Sequence, residues 1–600
     1  MNLSNTLEQR RNILLLLVMA IGCGLRLLHL YLSADNPFYH APALDEKYYV
    51  ESAIALVKGF DGGAGHYMDP LLVTVLRGVF SVSESLFSAR ILMLLLDTLN
   101  IFLVYHLARC WLAAGPALLA SVLYAAYKPA IFYASLLLKP VLAVTMCLLF
   151  VLVLTRALRS DNKNWWLCTG LVATLAIYTR GNLIFLVLLA PFVVWLEKRS
   201  APKILVPLSL ATVTMVLSAL LLNPLLLDQD ARGSFFGSGA GYAFYSSNHA
   251  ENLAGDHQPP SFVLTNHPRE IDFYYRAEAS RRLGKTLDTA SASIYWREQA
   301  MATMVAEPVK TLKRFGRRLL YLFSGYERPN NYSLDQNAAF SSLLAIPLPG
   351  FALALALGIP GLILLVARDR SAAALWIPIA TVFATGFLFF VASRLRLPAV
   401  PFLLIGAAAM LAYLQQLWLQ KKYRRVGVFL GTITLLASMA TLLPEFRQPD
   451  AGRSYNLAVA YLHLGQIEPA TDLVQKLVKE NPANSKYYLL LGNLVLAQKK
   501  LTNAIHLFEI ALAIDPNNVD ALYNLGIAWL ELGRTEEAEN AIHQALERKP
   551  DPAYRLGLGR VMAFRGEFES AAEQWRLVAD NPGVDLATRT RARDFLDSIE

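Results

Sequence analysis

The run Pro42-Ala43-Leu44-Asp45-Glu46-Lys47-Tyr48-Tyr49 sets two adjacent carboxylates just beyond the first long apolar stretch of the chain. Acidic groups at the margin of a membrane are costly to hold unless they face a cavity or a partner, so such a pair marks a functional site by default. A carboxylate placed there can take the proton of an attacking hydroxyl, and its neighbour can orient that hydroxyl, share the proton or hold the helix. The structural alternative for Asp45 is to cap a surface helix starting at Glu46, a frequent use of Asp.

Cations form the second set. Arg394 and Arg396 stand in Ser393-Arg394-Leu395-Arg396-Leu397-Pro398, at the opening of a late apolar stretch. Two arginines two apart diverge on a helix but converge from a loop, and a guanidinium fork matches phosphate oxygens. Their alternative is snorkelling to the membrane interface. Arg90 and Arg180 are further phosphate candidates at similar depth. Lys128 and Lys139, each followed by proline, are candidate substrate contacts, as are Tyr245 and Glu327 in later loops. His66 lies near Asp69 in sequence, but with no second His or Cys nearby it reads as a surface residue and not a metal ligand. The acidic residues are too scattered for a divalent-ion site, so no metal or other cofactor is expected.

The elements that must position these groups are membrane helices. The 600 residues are 55% hydrophobic with a mean hydropathy of +0.38, too apolar for a soluble chain of this size. The net charge of +9 then reports basic cytoplasmic loops and contact with membrane lipids, not nucleic acid. All four cysteines fall in or beside apolar segments, which argues against a disulfide framework. Spans are expected near 13–33, 86–107, 113–133, 137–157, 165–180, 182–197, 204–226, 341–366, 373–393, 397–419 and 427–444. The first is too long for a signal-peptide core and is read as retained.

With the N-terminus cytoplasmic, the inside segments carry Arg10-Arg11, Arg109, Arg156 to Lys163, Lys198 to Lys203, Arg368 to Arg370 and Lys421 to Arg425, as the positive-inside rule requires. The same parity places Asp45, the segment 228–340 and everything after Leu443 outside. Within 34–85, Glu46 to Lys58 and Leu71 to Phe80 have the spacing of two interfacial helices. Segment 228–340 is expected to be irregular at first and helical from Thr289 to Phe323. Its last helix, with Lys310, Lys313, Arg314, Arg317 and Arg318, reads either as snorkelling onto anionic headgroups or as a landing site for a phospholipid-linked substrate.

Beyond residue 451 a pattern recurs every thirty-four residues: Leu457-Ala458, Tyr461, Gly465, Ala470 and Pro482 return as Leu491-Gly492, Val495, Lys499, Ala504 and Pro516. They return again as Leu525-Gly526, Trp529, Gly533, Ala538 and Pro550, and, slightly shortened, as Leu558-Gly559, Met562, Gly566, Ala571 and Pro582. This is the tetratricopeptide pattern, small residues where paired helices touch and proline ending each unit. Repeats are placed near 451–484, 485–518, 519–552 and 553–584, with a capping helix at 585–600. The expected fold is all-α: a polytopic membrane helix bundle over 1–444, with external loops 34–85 and 228–340, then an α-solenoid over 445–600. Solenoids of this kind offer a concave surface to a protein partner.

The layout of 1–444, with Leu44-Asp45-Glu46 in the first external loop, Ser88-Ala89-Arg90 opening the next span and the Arg394–Pro398 stretch opening a late one, resembles the GT-C glycosyltransferases that use polyprenyl-phosphate sugars. That group contains the protein O-mannosyltransferases and the aminoarabinose transferase of lipid A. The runs Gly241-Tyr242-Ala243-Phe244-Tyr245 and Tyr326-Glu327-Arg328-Pro329-Asn330 are similar to loop motifs of a branch that also carries tetratricopeptide repeats. The resemblance implies a GT-C bundle and inverting displacement of a sugar from a polyprenyl-phosphate donor onto an external acceptor on a protein, lipid or glycan, with Asp45 as base. The chemistry agrees, since hydroxyl attack needs a base and the leaving phosphate needs cations.

Two other readings stand beside this one. A membrane-anchored repeat scaffold without catalysis would not need the carboxylates or the arginine stretch. A flippase for lipid-linked sugars predicts mid-membrane charges and inverted repeats; Arg26, Asp97 and Asn100 lie within spans, but the apolar pattern shows no duplication. Short linkers and few repeats favour a bacterial inner membrane, with the solenoid periplasmic.

Overall fold

The computed structural model describes residues 3–59, 69–198, 201–226, 239–263, 268–443, 451–581, 584 and 586–599, and the regular elements among them are all helical. The chain divides into two compact units, a bundle drawn mostly from residues 1–447 and a solenoid drawn chiefly from 448–600.

The bundle opens with α1 (Leu3–Leu32), α2 (Pro37–His40), α3 (Leu44–Val57) and α4 (Pro70–Phe80). Next come α5 (Leu86–Ala108), α6 (Ala114–Ala125), α7 (Lys128–Tyr133), α8 (Pro140–Arg159), α9 (Asn164–Thr179), α10 (Ile184–Lys198) and α11 (Ala201–Leu226). A lobe of α12 (Ala240–Asn248), α13 (Pro268–Leu283), α14 (Thr289–Ala306) and α15 (Pro308–Phe323) follows. The bundle ends with α16 (Leu334–Asn337), α17 (Ser342–Ala345), α18 (Phe351–Arg368), α19 (Trp376–Leu388), α20 (Ser393–Arg396), α21 (Val400–Leu419) and α22 (Tyr423–Leu442).

Among the described residues eight helical segments are long and apolar enough to cross a membrane: Gln9–Leu32, Leu86–Ala108, Pro140–Arg159, Leu205–Asn223, Phe351–Arg368, Arg370–Leu388, Ser393–Leu419 and Tyr423–Leu442. The expected spans 165–180 and 182–197 form α9 and α10, of 16 and 15 residues and shorter than those eight, and two other expected spans are broken. The segment 113–133 breaks at Tyr127, whose backbone is extended ahead of Lys128-Pro129, because proline at the start of α7 cannot accept continuation of α6. The segment 341–366 breaks between Ala345 and Phe351, where Pro347, Pro349 and Gly350 interrupt the helix. Segment 228–340 likewise holds helices outside the expected Thr289–Phe323, namely α12, α13, which begins at Pro268, and the short α16.

Buried polar groups pin the bundle. Arg26 on α1 and Asp97 on α5 form a 2.7 Å ion pair with both side chains fully buried. Tyr124 on α6 donates to Asp97 at 2.5 Å, and Asn100 carries the network on to Thr145 of α8. Removing one member of such a pair strands a charge at a cost of about 3–5 kcal/mol. Elsewhere the helices close on small residues: a methyl group on Gly361 of α18 would overlap the Gly406 carbonyl of α21, and one on Gly358 would meet the backbone of Leu403.

Helix α8, about 30 Å long at 1.5 Å per residue, separates two chemically different ends. At one, Arg159 donates to the Cys110 carbonyl (2.6 Å) and to Asp369 (2.5 Å) and lies over Trp111, so three of the basic segments gather there. Lys139 stands at the other end, among the acids of the candidate site.

In the solenoid, α23 (Ala451–His463), α24 (Ile467–Glu480), α25 (Ser485–Ala497), α26 (Leu501–Ile514), α27 (Val519–Glu531), α28 (Thr535–Arg548), α29 (Pro552–Phe564) and α30 (Phe568–Ala579) pair into four hairpins, and α31 (Leu586–Asp597) follows them. Gly492 lies against Phe508, Gly526 against Ile542 and Gly559 against Trp575, which is why only small residues serve there. The turn inside each hairpin is left-handed at Gly465, Lys499, Gly533 and Gly566, with φ of 70°, 61°, 79° and 83°. Lys499 alone of the four adopts it with a side chain.

Candidate active site

Asp45 lies in the first turn of α3, two positions beyond the cap: Ala43 is the N-cap, with extended backbone and no side-chain capping bond. The capping role for Asp45 is therefore corrected. Leu44 before it has φ 54°, a left-handed conformation that is strained for leucine and that turns the chain abruptly into the helix. Asp45 Oδ2 instead accepts from Arg394 Nη1 at 2.5 Å, with the two side chains 15% and 13% exposed. Burial alone pushes the Asp45 carboxyl upward, but the charge and hydrogen bond of Arg394, with Asn331 and Lys139 adding to them, hold it below its ordinary value.

Arg394 is presented by a framework of other side chains. Ser393 donates its N–H to the Arg328 carbonyl (2.8 Å) and its hydroxyl to Glu327 (2.6 Å). Arg328 grips both oxygens of Asp256 at 2.6 Å. Arg396 points the other way: its guanidinium donates to the carbonyls of Ser324 (2.6 Å) and Tyr326 (2.7 Å) and to Glu327 (2.9 Å), over the Phe351 ring. The two arginines diverge because 393–396 is a helical turn, on which residues two apart are separated by about 200°.

A second ion pair stands in the same cluster. Asp69, ahead of α4, accepts from Lys139 Nζ at 2.6 Å and from the Gly181 N–H at 2.9 Å. The latter bond fixes the break after α9 and hence Arg180, whose like charge acts on Arg394 and which also senses Asp45 and Asp69. Arg180 Nη1 and Arg394 Nε are both buried without a hydrogen-bond partner. Burial, then the charges of Asp45 and Asp69, hold the Tyr49 phenol well above its ordinary range, with Lys139 lying 5.6 Å over its ring. Burial pushes the His257 imidazole down to about 4, with Arg394 acting in the same direction and Asp45 and Asp256 opposing. His257 is neutral at physiological pH.

Glu46 points away from Asp45. Fully buried, it accepts from Arg90 (2.7 Å), the Leu137 N–H (3.1 Å) and the Tyr332 hydroxyl (2.7 Å). Arg90 also donates to the carbonyls of Ser135, Phe38 and Tyr39. Glu327 is likewise a brace, bonded to Tyr127, Ser393 and Arg396. Tyr245 belongs to the aromatic core of the α12–α15 lobe, against Trp296 and His249. Lys128 begins α7, its N–H bonded to the Pro349 carbonyl. His66 lies outside the described residues. Sequence reading passed over Asp69, Tyr49 and His257 as site members. Asp69 had a signal, an acid just ahead of the second interfacial helix, while the other two had none.

Asp45, Asp69, Lys139, Arg180 and Arg394 thus combine two carboxylates with three cations, two of them holding unpartnered N–H groups. Such a site can accept a proton and bind an oxyanion side by side. Among the described residues no three His, Cys, Asp or Glu side chains are grouped to hold a metal ion.

Comparison with known proteins agrees in kind. Residues 69–226, which include Asp69, Lys139 and Arg180, match the family of dolichyl-phosphate-mannose-protein mannosyltransferases. Residues 455–519, 495–561 and 552–576 match tetratricopeptide-repeat families. Among curated proteins, a BBSome complex member of Bos taurus is 28% identical over 137 residues, 22% of this chain and 26% of that one. One of Mus musculus is 32% identical over the same shares. The chain thus spans about a quarter of the length of these relatives. Among solved structures, a thermophilic TPR protein of Thermus thermophilus is 21% identical, covering 31% of this chain and 98% of that one with a TM-score of 0.24. MamA is 17% identical, covering 25% and 81% with a TM-score of 0.20. The family matches support a multi-pass membrane glycosyltransferase of the GT-C type joined to tetratricopeptide repeats.

Proposed function

We propose that this chain, a mannosyltransferase-family bundle carrying tetratricopeptide repeats, moves a sugar from a polyprenyl-phosphate donor to an acceptor hydroxyl at the bundle end where Asp45 lies, with Asp45 as general base. The observation that carries the reading is the Asp45–Arg394 ion pair inside a cluster that also holds Arg180 and Lys139–Asp69.

The acceptor oxygen forms a bond to the anomeric carbon as its proton passes to Asp45. The bond from that carbon to the phosphate oxygen breaks, and its electron pair stays on the phosphate. The developing phosphate charge needs donors already in place. Arg394 and Arg180 supply them through N–H groups that have no protein partner. When Arg394 turns from Asp45 to phosphate, Asp45 loses the charge that holds its carboxyl low, and burial makes it a stronger base. Donor binding thus arms the base. Attack from the face opposite the phosphate inverts the anomeric centre.

In this reading Glu46 and Arg90 position α3, and Arg396 and Glu327 position Arg394, without touching the donor. The bundle end with Asp45 faces outside, the basic end with Arg159 faces the cytoplasm, and the inner membrane of a bacterium suits this arrangement. The repeats offer a surface to a protein acceptor or partner. The test is transfer from a synthetic polyprenyl-phosphate sugar by the full chain in lipid nanodiscs: Asp45→Asn abolishes transfer while the protein stays folded and binds donor. Transfer at the wild-type rate in that variant would refute the reading.

A further inference from the structure

Helix α15 is amphipathic in an inverted sense. Its buried face carries Arg314 and Arg318, whereas Val309, Leu312, Leu319, Leu320 and Phe323 are exposed, Val309 at 66% and Leu312 at 72%. At about 100° per residue these five fall within one third of the helix circumference, together with Gly316. Lys310, Lys313 and Arg317 follow along one border of that face. Arg314 donates to the His249 carbonyl at 2.9 Å. Arg318, fully buried, donates to the Gly255 carbonyl (2.9 Å), to Asn248 (3.0 Å) and to the carbonyls of Phe387 and Leu388 (3.1 Å each).

Phe387 and Leu388 are the last residues of α19, the helical part of the span Arg370–Leu388. Their carbonyls have no partner within the helix, and in or near a bilayer such groups must be satisfied by protein. Arg318 satisfies them. Phe315 packs on Phe387 and Phe323 on Phe383, ring centroids 4.5 and 5.2 Å apart. The axis of α15 is therefore tied to the place where a membrane helix ends, and its apolar face continues outward from there.

We propose that α15 lies in the membrane interface with Val309, Leu312, Leu319 and Phe323 on the acyl chains and Lys310, Lys313 and Arg317 at anionic headgroups, and that the bilayer thereby braces the turn bearing Arg394. The bracing runs through two contacts on either side of that turn. Arg318 holds residues 387–388 before it, and the carbonyls of Tyr321 and Ser324, at the end of α15, accept from Arg396 after it. A single apolar face bordered by cations on one side fits a lipid surface, where acyl chains and phosphates lie at different depths. The alternative occupant, a second copy of the chain, is an outcome of the test.

The experiment uses the full wild-type chain in vesicles of phosphatidylcholine and phosphatidylglycerol that contain a lipid with a photoreactive group on its acyl chain. After illumination, peptides are mapped by mass spectrometry. Adducts on Val309–Phe323 are expected, as on the exposed apolar residues of α22, which serve as the positive control. Adducts on α22 with none on α15, the result expected if a second copy of the chain covers that face, would overturn the proposal. Leu312→Glu should reduce labelling of α15 several-fold at unchanged labelling of α22, and undiminished labelling would count against the face. Labelling needs no turnover, so its outcome is independent of whether Asp45 is the base.

Discussion

Asp45 and Arg394 are 349 positions apart in the chain and meet at 2.5 Å in a part-buried ion pair. Neither is otherwise neutralised as Glu46 and Arg396 are. A carboxylate and a guanidinium whose strongest partners are each other can exchange those partners when a phosphate and a hydroxyl arrive.

Substituting the pair tests that exchange. Asp45→Asn should lower kcat by about 10²–10⁴-fold, the usual contribution of a positioned base. Arg394→Ala should lower it by about 10²–10³-fold through lost charge stabilisation. Steady-state transfer assays with matched donor-binding measurements check both. Unchanged kcat in Arg394→Ala would remove the arginine from the transition state.

The pH response follows from the Asp45 shift. Its folded-state value lies below the ordinary 3.8, so the carboxylate stays ionised as pH falls through that value. The ion pair's contribution to stability is accordingly present above the unfolded value and lost only as pH falls through the lower folded one. Arg394→Gln removes the largest influence that lowers the Asp45 carboxyl and leaves burial, which raises it, so its value should shift upward. The acid limb of kcat/KM should move upward in that variant, and coincident limbs in the two proteins would contradict the assignment.

Asp69→Asn addresses the second pair. It weakens the acceptor of Lys139 and of the Gly181 N–H, which together fix Arg180. Donor KM should rise by more than kcat falls, since proton transfer to Asp45 is untouched. A kcat loss as deep as that of Asp45→Asn, with KM unchanged, would make Asp69 the base instead.

Glu46→Ala separates architecture from catalysis. It leaves Arg90 buried without its counter-charge, a loss of about 3–5 kcal/mol. Thermal unfolding in detergent should therefore drop more for this variant than for Asp45→Asn, whose pair with Arg394 is partly exposed. Equal melting behaviour would place Glu46 outside the framework.

Within the solenoid, Lys499→Gly relieves a left-handed side chain at a turn where the other three repeats carry glycine. The strain relieved is about 1–2 kcal/mol, and its exposed pairing with Glu531 contributes little. Chemical denaturation of the full chain, followed by exchange protection of α25 and α26, should show a later transition there.

Much of this protein was legible without coordinates wherever a short-range pattern carried the information. Apolar runs marked the membrane segments, and the thirty-four-residue recurrence marked the hairpins, because each repeat must present a small residue to its own partner helix. Asp45 stood out because an acid pair at a membrane edge is rare and costly. What sequence could not assign was which cations serve substrate. Arg90, Arg180, Arg394 and Arg396 are alike as residue types and as neighbours of apolar stretches. Their roles depend on partners 44 to 349 positions away: Glu46 for Arg90, Asp45 for Arg394. Such pairings arise only when the helices pack, since burial selects which charges must be matched. Residue types determined that carboxylates able to take a proton and cations able to bind phosphate were present. Tertiary packing decided that Asp45, not Glu46, faces Arg394, and that Asp69 and Lys139 stand with them.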